Sequence, residues 1–145
     1  MDDVLCNYTA MHQERLNKEP NIKYPQSQYG FFRNLEPKEG GIEGLNYLKS
    51  QPIFEVYILT APSIKNPLCY SEKREWVEEK LGLDMVKRLI ITPNKGLNSG
   101  HYLIDDHKEG KGQENFEGEL IWFGSERFPS WQTVIAYFRE KYELE

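Results

Sequence analysis

Tyr102-Leu103-Ile104-Asp105-Asp106 is an apolar run that ends on two adjacent carboxylates, and the fold is read outward from it. Three more runs have the same character. Ile53–Leu59 leads into Thr60, Leu89–Ile91 into Thr92, and Leu120–Phe123 into Gly124-Ser125. All are rich in β-branched or aromatic residues and are bounded by turn-forming ones, so they read as strands. Helical patterns lie between them. Ile42, Leu45 and Leu48 share one face. Ser71 is a plausible N-cap for a helix carrying Trp76, Val77 and Leu81 and stopped by Gly82. Ser130 precedes Trp131, Val134, Ile135 and Phe138 at helical spacing. Strands alternating with helices predict an α/β fold with a parallel sheet. In open sheets of this kind ligands bind beyond the carboxyl ends of the strands. The polar residues gathered there are therefore candidate site residues, although Thr and Asp also simply terminate strands.

The composition sets limits. A chain of 145 residues fits one domain with a real core. Its net charge of −5, from 23 acidic and 18 basic residues, argues against a broad surface for nucleic-acid polymers. An anionic small ligand remains compatible, because a local metal inverts the field. No apolar stretch approaches the roughly 18 residues a membrane span needs. With no leader-like segment, a cytoplasmic protein is expected. Cys6 and Cys69 lack metal or redox spacing and read as two reduced thiols. Residues 9–38 carry Pro20, Pro25 and Pro37 with Tyr24, Tyr29, Phe31 and Phe32, which suggests a small packed insert in a single 1–145 domain. Residues 108–119 read as an exposed charged loop.

The strand-end residues suit phosphoryl chemistry. Breaking a phosphomonoester needs a nucleophile, an acid for the leaving alkoxide, and positive charge on the phosphate oxygens. Asp105 and Asp106 offer the oxygen ligands that Mg2+ prefers, though an Asp pair also caps turns. Thr60, with Ala61 beside it, offers a hydroxyl and backbone groups to phosphate. Lys95 offers an ammonium, though a loop lysine is more often just solvated. Asp2 offers a carboxylate that could act as general acid and then general base, but a solvated terminal acid is the default reading at this position.

Taken together, the motifs resemble the haloacid dehalogenase-like phosphatases, and within them the 5′(3′)-deoxyribonucleotidase family. The likeness runs through Asp2-Asp3-Val4-Leu5, Tyr24-Pro25 with Gly30-Phe31-Phe32, Leu59-Thr60-Ala61-Pro62, Glu72-Lys73-x-x-Trp76-Val77, Asn94-Lys95, Leu103-Ile104-Asp105-Asp106 and Pro129-x-Trp131. It implies a Rossmann-like parallel sheet with a small helical cap formed by residues 9–38. It also implies Mg2+-dependent hydrolysis of nucleoside monophosphates through an aspartyl-phosphate. Asp2 and Lys95 are then catalytic. Thr60, Ala61 and Lys95 bind phosphate, and Asp2, Asp105 and Asp106 hold the metal, with Asp106 as the direct ligand. Phe31 and Phe32 contact the base, or else pack in the core. A homodimer is compatible with the resemblance.

The family's first motif reads Asp-x-Asp, and Asp2 matches its second acid. The nucleophile and the first, central strand would then precede Met1. The expectation is a chain with little activity of its own. The alternatives are a catalytically dead nucleotide- or magnesium-binding relative, or a phosphatase for another metabolite. The strand slot would be filled by residues outside the chain, or closed by pairing Ile53–Leu59 with Tyr102–Ile104. Asp2, Thr60, Lys95, Asp105 and Asp106 are expected to converge on one cavity.

Overall fold

The computed structural model describes residues 1–145 and resolves into two compact units, Met1–Lys38 with Tyr57–Pro93, and Glu39–Val56 with Asn94–Glu145. Each is a small α/β assembly with one pair of short parallel strands, the building style of a Rossmann-like fold.

In the first unit β1 (Ile58–Thr60) pairs in parallel with β2 (Leu89–Ile91). The crossover is α3 (Pro67–Leu81) followed by the short α4 (Leu83–Val86), a βαβ unit. The strand is shorter than the apolar run suggests, because Ile53 and Tyr57 are exposed and the segment before Ile58 is irregular. The cap of α3 also differs from expectation. Asn66, not Ser71, caps it: its side chain accepts from the Leu68 N–H at 3.1 Å, and Pro67 fills the first position, where a missing N–H costs nothing. Ser71 lies inside the helix and donates to the Leu68 carbonyl. Gly82 ends the helix with φ +85°, as its position in the sequence implies. Trp76 and Val77 of α3 are buried, as are Phe31, Phe32 and Leu35, and the Trp76 indole donates to the Leu35 carbonyl at 2.7 Å. The polar insert contains a helix that the composition does not announce, α1 (Tyr8–Lys18). None of its residues is fully buried, but Tyr8, Met11, His12, Arg15 and Leu16 form a half-buried stripe at helical spacing. Cys6 and Cys69 are both buried free thiols.

In the second unit β3 (Tyr102–Asp105) pairs in parallel with β4 (Glu119–Trp122), in the register Asp105 to Trp122. β1 and β3 each pair only inside their own unit, so the direct pairing of the Leu59 run with Tyr102–Ile104 does not form. Residues 108–119, expected as an exposed charged loop, include a buried glutamine, Gln113, and a half-buried Phe116. α2 (Gly41–Ser50) packs against α5 (Trp131–Tyr142), the latter opened by a Ser130/Thr133 capping box. At Gly44 the Trp131 ring lies against the helix backbone.

Alanine normally improves a helix interior relative to glycine by about 1 kcal/mol. At Gly44 the sign reverses, because a Cβ would overlap Trp131 ring atoms. Gly44→Ala is expected to destabilise the protein by about 2 kcal/mol, the usual range for overpacking. Urea denaturation checks this; a variant as stable as the wild type would show that the Trp131 ring does not seat on the Gly44 backbone.

Candidate active site

Two clusters hold the sequence-predicted residues, one in each unit. The first is centred on a residue that the sequence reading did not single out as functional, Lys73. Its side chain is fully buried, and its ammonium donates to Asp2 Oδ2 at 3.0 Å, Thr60 Oγ1 at 2.7 Å and the Ala61 carbonyl at 2.8 Å. It also lies 5.5 Å from the centre of the Phe32 ring. An ammonium has three protons, and three acceptors take them. Thr60 accepts from Lys73, so its own hydroxyl proton is left to donate to something else. Ala61 is engaged through its carbonyl. The signal for Lys73 was present in the chain: Cys69, Glu72, Lys73, Trp76 and Val77 are the buried stripe of α3. A lysine in the middle of that stripe must either snorkel out or find partners inside.

Asp2 is reached from β1 and α3 because residues 1–6 fold back on themselves. The Leu5 and Val4 N–H groups donate to the Met1 carbonyl at 2.8 and 3.2 Å, and Asp3 adopts φ +56°. That turn sends the two adjacent acids apart. The Asp3 carboxylate accepts from the Thr9 N–H at 3.0 Å and the Thr9 hydroxyl at 2.6 Å at the start of α1. It is therefore occupied with the helix N-terminus, while Asp2 faces Lys73. Burial pushes the Cys6 thiol up, and the nearby Asp2 carboxylate adds to that, so Cys6 is no nucleophile. Phe31 and Phe32 are buried, and Tyr8 covers both at 5.7 and 5.8 Å between ring centres. His12 stacks on Tyr8 and meets the Gln26 amide oxygen at 3.1 Å. Glu72, the neighbour of Lys73, accepts from the Gly30 N–H with one oxygen, and its second oxygen is buried without a hydrogen-bond partner.

The second cluster joins Lys95 to Asp105. Lys95 follows Asn94, whose side-chain oxygen accepts from the Gly96 N–H and starts a 3-10 turn. The Lys95 N–H donates to the Lys111 carbonyl at 2.7 Å, with Gly112 at φ +83° alongside; a side chain there would strike the Asn94 oxygen. These contacts hold the Lys95 ammonium against Asp105 Oδ2, both side chains being almost wholly buried. The other oxygen, Oδ1, accepts from the His107 N–H at 3.0 Å, with Gln113 Nε2 at 3.4 Å. Burial alone would push the Asp105 carboxyl up; the Lys95 ammonium, its hydrogen bond and the His107 N–H together hold it below the usual value. Asp106 behaves oppositely. Burial, and then the Asp105 charge, raise it despite the nearby His107, whose exposed imidazole is 3.3 Å away.

The donor chemistry of this cluster fits a magnesium ion at Asp106 better than at Asp105. Both oxygens of Asp105 are committed to protein donors. Asp106 is a part-buried oxygen donor whose charged form a dication would favour. No group of three or more His, Cys, Asp or Glu side chains is assembled to hold a metal. Magnesium commonly takes one or two carboxylates and completes its shell with waters and phosphate oxygens.

An α/β protein with acids at Asp2, Asp105 and Asp106, a hydroxyl at Thr60 and a lysine at Lys95 has the motif order of the haloacid dehalogenase-like class. The family described as "5′ nucleotidase, deoxy (Pyrimidine), cytosolic type C protein" matches residues 19–136. The chain is 43% identical over 109 residues to a Vibrio phage KVP40 protein named "Putative 5′(3′)-deoxyribonucleotidase", covering 74% of this chain and 62% of the phage protein. It is 35% identical over 106 residues to the human cytosolic-type 5′(3′)-deoxyribonucleotidase, covering 73% of this chain and 47% of the human one. A mouse mitochondrial 5′(3′)-deoxyribonucleotidase is 29% identical over 115 residues, covering 79% of this chain and 47% of that protein. The chain belongs to the 5′(3′)-deoxyribonucleotidase family, and it spans about half to three-fifths of the length of these relatives. No helix is long and apolar enough to cross a membrane.

The Lys95–Asp105 pair gives a pH-dependent prediction. In the wild type the Asp105 carboxyl is held below its ordinary value of 3.8, so its contribution to stability is present above that pH and lost as the pH falls through the lower folded value. Lys95→Met leaves a buried carboxylate without its cation, and is expected to cost about 3 kcal/mol at pH 7. Burial then dominates Asp105 and favours its protonated form, so the deficit relative to wild type shrinks between pH 7 and pH 4. Denaturation curves at both pH values check this; a deficit independent of pH would rule out the Lys95–Asp105 interaction as its source.

Proposed function

We propose that the chain is a nucleotide phosphatase of the 5′(3′)-deoxyribonucleotidase type, cytoplasmic, using magnesium and acting on (deoxy)nucleoside monophosphates. The observation that supports this most directly is the buried Lys73 ammonium shared by Asp2, Thr60 and Ala61. It fixes a carboxylate and a hydroxyl in one orientation, and that pre-organisation is what an acid/base and a phosphate-oxygen donor require. In this reading the phosphoryl group passes to an aspartate nucleophile as Asp2 protonates the leaving alkoxide, and Asp2 then takes a proton from the water that hydrolyses the aspartyl-phosphate. Thr60 donates its remaining hydroxyl proton to a phosphate oxygen, with the Ala61 backbone beside it. Lys73 positions both.

Lys95 places positive charge on the phosphate, and Asp105 orients it. Asp106 is the carboxylate that would hold magnesium. When bound, the ion supplies positive charge to the phosphate oxygens. Asp3 is not the nucleophile in this reading, since its carboxylate is taken by Thr9. Residues 9–38 act as the cap, with Phe31 and Phe32 as the buried floor beneath Tyr8 on the side that receives the base.

Calorimetry with a deoxynucleoside 5′-monophosphate and with the same deoxynucleoside, both in Mg2+, tests the reading. The monophosphate is expected to bind at least about tenfold more tightly, in line with charge-assisted hydrogen bonds of about 1.5–3 kcal/mol. Lys95→Met should remove most of that difference. Equal affinity for the two ligands, or a Lys95→Met protein that keeps the preference, would exclude phosphate recognition by these residues. Phosphate release in the same samples separates hydrolysis from a binding-only relative.

A further inference from the structure

Trp122 is a large aromatic on β4 that remains 40% exposed, and burial does not explain its presence. Its indole N–H donates to the backbone carbonyl of Asp106 at 3.0 Å. The ammonium of Lys108 lies over its ring, 4.1 Å from the centroid. Trp122 stands opposite Asp105 in the β3–β4 register, so the ring reaches one residue past the end of the β3 ladder.

This contact completes the restraint of three successive backbone groups. The Asp105 carbonyl accepts from the Phe123 N–H at 2.9 Å, the last ladder bond. The Asp106 carbonyl accepts from Trp122. The His107 N–H donates to the Asp105 carboxylate at 3.0 Å. Without the indole, the peptide joining Asp106 to His107 would lack its carbonyl restraint, and that peptide sets the direction in which the Asp106 side chain leaves the backbone. The Asp106 carboxylate itself is met by the exposed His107 imidazole and by its own backbone N–H.

We propose that Trp122, braced by Lys108, is a positioning residue that holds the Asp106 carboxylate ready for a divalent cation. The proposal rests on the reading of Asp106 as the magnesium ligand. Groups that orient a metal ligand through a second hydrogen bond commonly change affinity by about 10- to 100-fold when removed. Trp122→Phe removes the N–H and keeps a ring under Lys108.

The test uses the full chain and Mg2+ alone, with three readouts. Calorimetry is expected to show Mg2+ binding weakened about tenfold in Trp122→Phe, with the melting temperature in EDTA close to that of the wild type. The chain has three tryptophans, so three indole N–H resonances are expected, and the Trp122 resonance is the one missing from the variant. In the wild type that resonance should move on Mg2+ titration with the calorimetric affinity. A stationary Trp122 resonance at saturating Mg2+, or unchanged affinity in Trp122→Phe, overturns the proposal. So does a fall in metal-free melting temperature large enough to account for the lost affinity. Asp106→Asn separates the two layers. If it abolishes binding while Trp122→Phe does not weaken it, only the positioning role fails. If Asp106→Asn binds Mg2+ like the wild type, the reading of Asp106 as the ligand fails with it.

Discussion

A buried ammonium, Lys73, organises the first unit. Taking a lysine out of water costs several kcal/mol unless its charge and protons are matched inside. The match requires three partners from two separate parts of the chain: Asp2 from the N-terminal turn, and Thr60 with Ala61 at the end of β1 and just beyond it. Each is constrained by serving Lys73. The N-terminal residues must curl so that Asp2 faces inward while Asp3 turns to Thr9 and the start of α1. β1 must end where the Thr60 hydroxyl can accept, and α3 must present its polar stripe residues alongside Trp76 and Val77. A replacement at Lys73 therefore disturbs the turn, the strand end and the helix face together.

The second unit meets the same problem with different chain geometry. Lys95 sits in a 3-10 turn, not on a long helix, and its position depends on close backbone approaches at Gly112 and Lys111. Its partner, Asp105, is the last residue of β3, so the ladder to β4 fixes the carboxylate from behind. Gln113 and the His107 N–H occupy the oxygen that Lys95 leaves, which spares the buried acid an unmatched lone pair. One consequence is a division of labour between adjacent acids. Asp105 is committed to the protein. Asp106, one residue beyond the ladder, keeps a carboxylate whose charge burial disfavours. Adjacent acids at a strand end thus differ because the pleat and the ladder treat them differently, not because of their chemistry.

Much of the architecture was legible before any coordinates. The strands at Leu89–Ile91 and Tyr102–Ile104, the C-terminal helix after Ser130 and the stop at Gly82 follow from local rules: β-branched runs, helical spacing and the left-handed freedom of glycine. The misses also have local causes. Asn66 outranked Ser71 as the cap because Pro67 fixed the first turn. The run from Ile53 read as strand by composition, yet only Ile58–Thr60 finds a partner in β2, and strand identity depends on pairing as much as on propensity. α1 is not legible from periodicity, because its inward stripe mixes Tyr8, Met11, His12, Arg15 and Leu16, a half-polar face that hydrophobic periodicity undercounts.

The sequence by itself determined which residue types stand at the strand ends: Thr60, Lys95, Asp105 and Asp106. Their order along the chain is enough to suggest phosphate chemistry and the family. Tertiary structure alone decided what each of them touches. That Lys73 is an internal cation, that Asp3 is spent on Thr9, and that Trp122 grips the Asp106 carbonyl all depend on contacts between residues far apart in the chain or on a single left-handed φ angle at Asp3. Local propensities constrain φ, ψ and the face on which a side chain lies. They carry no information about which distant donor arrives to meet it, and for buried charges that meeting determines both the energy and the chemistry.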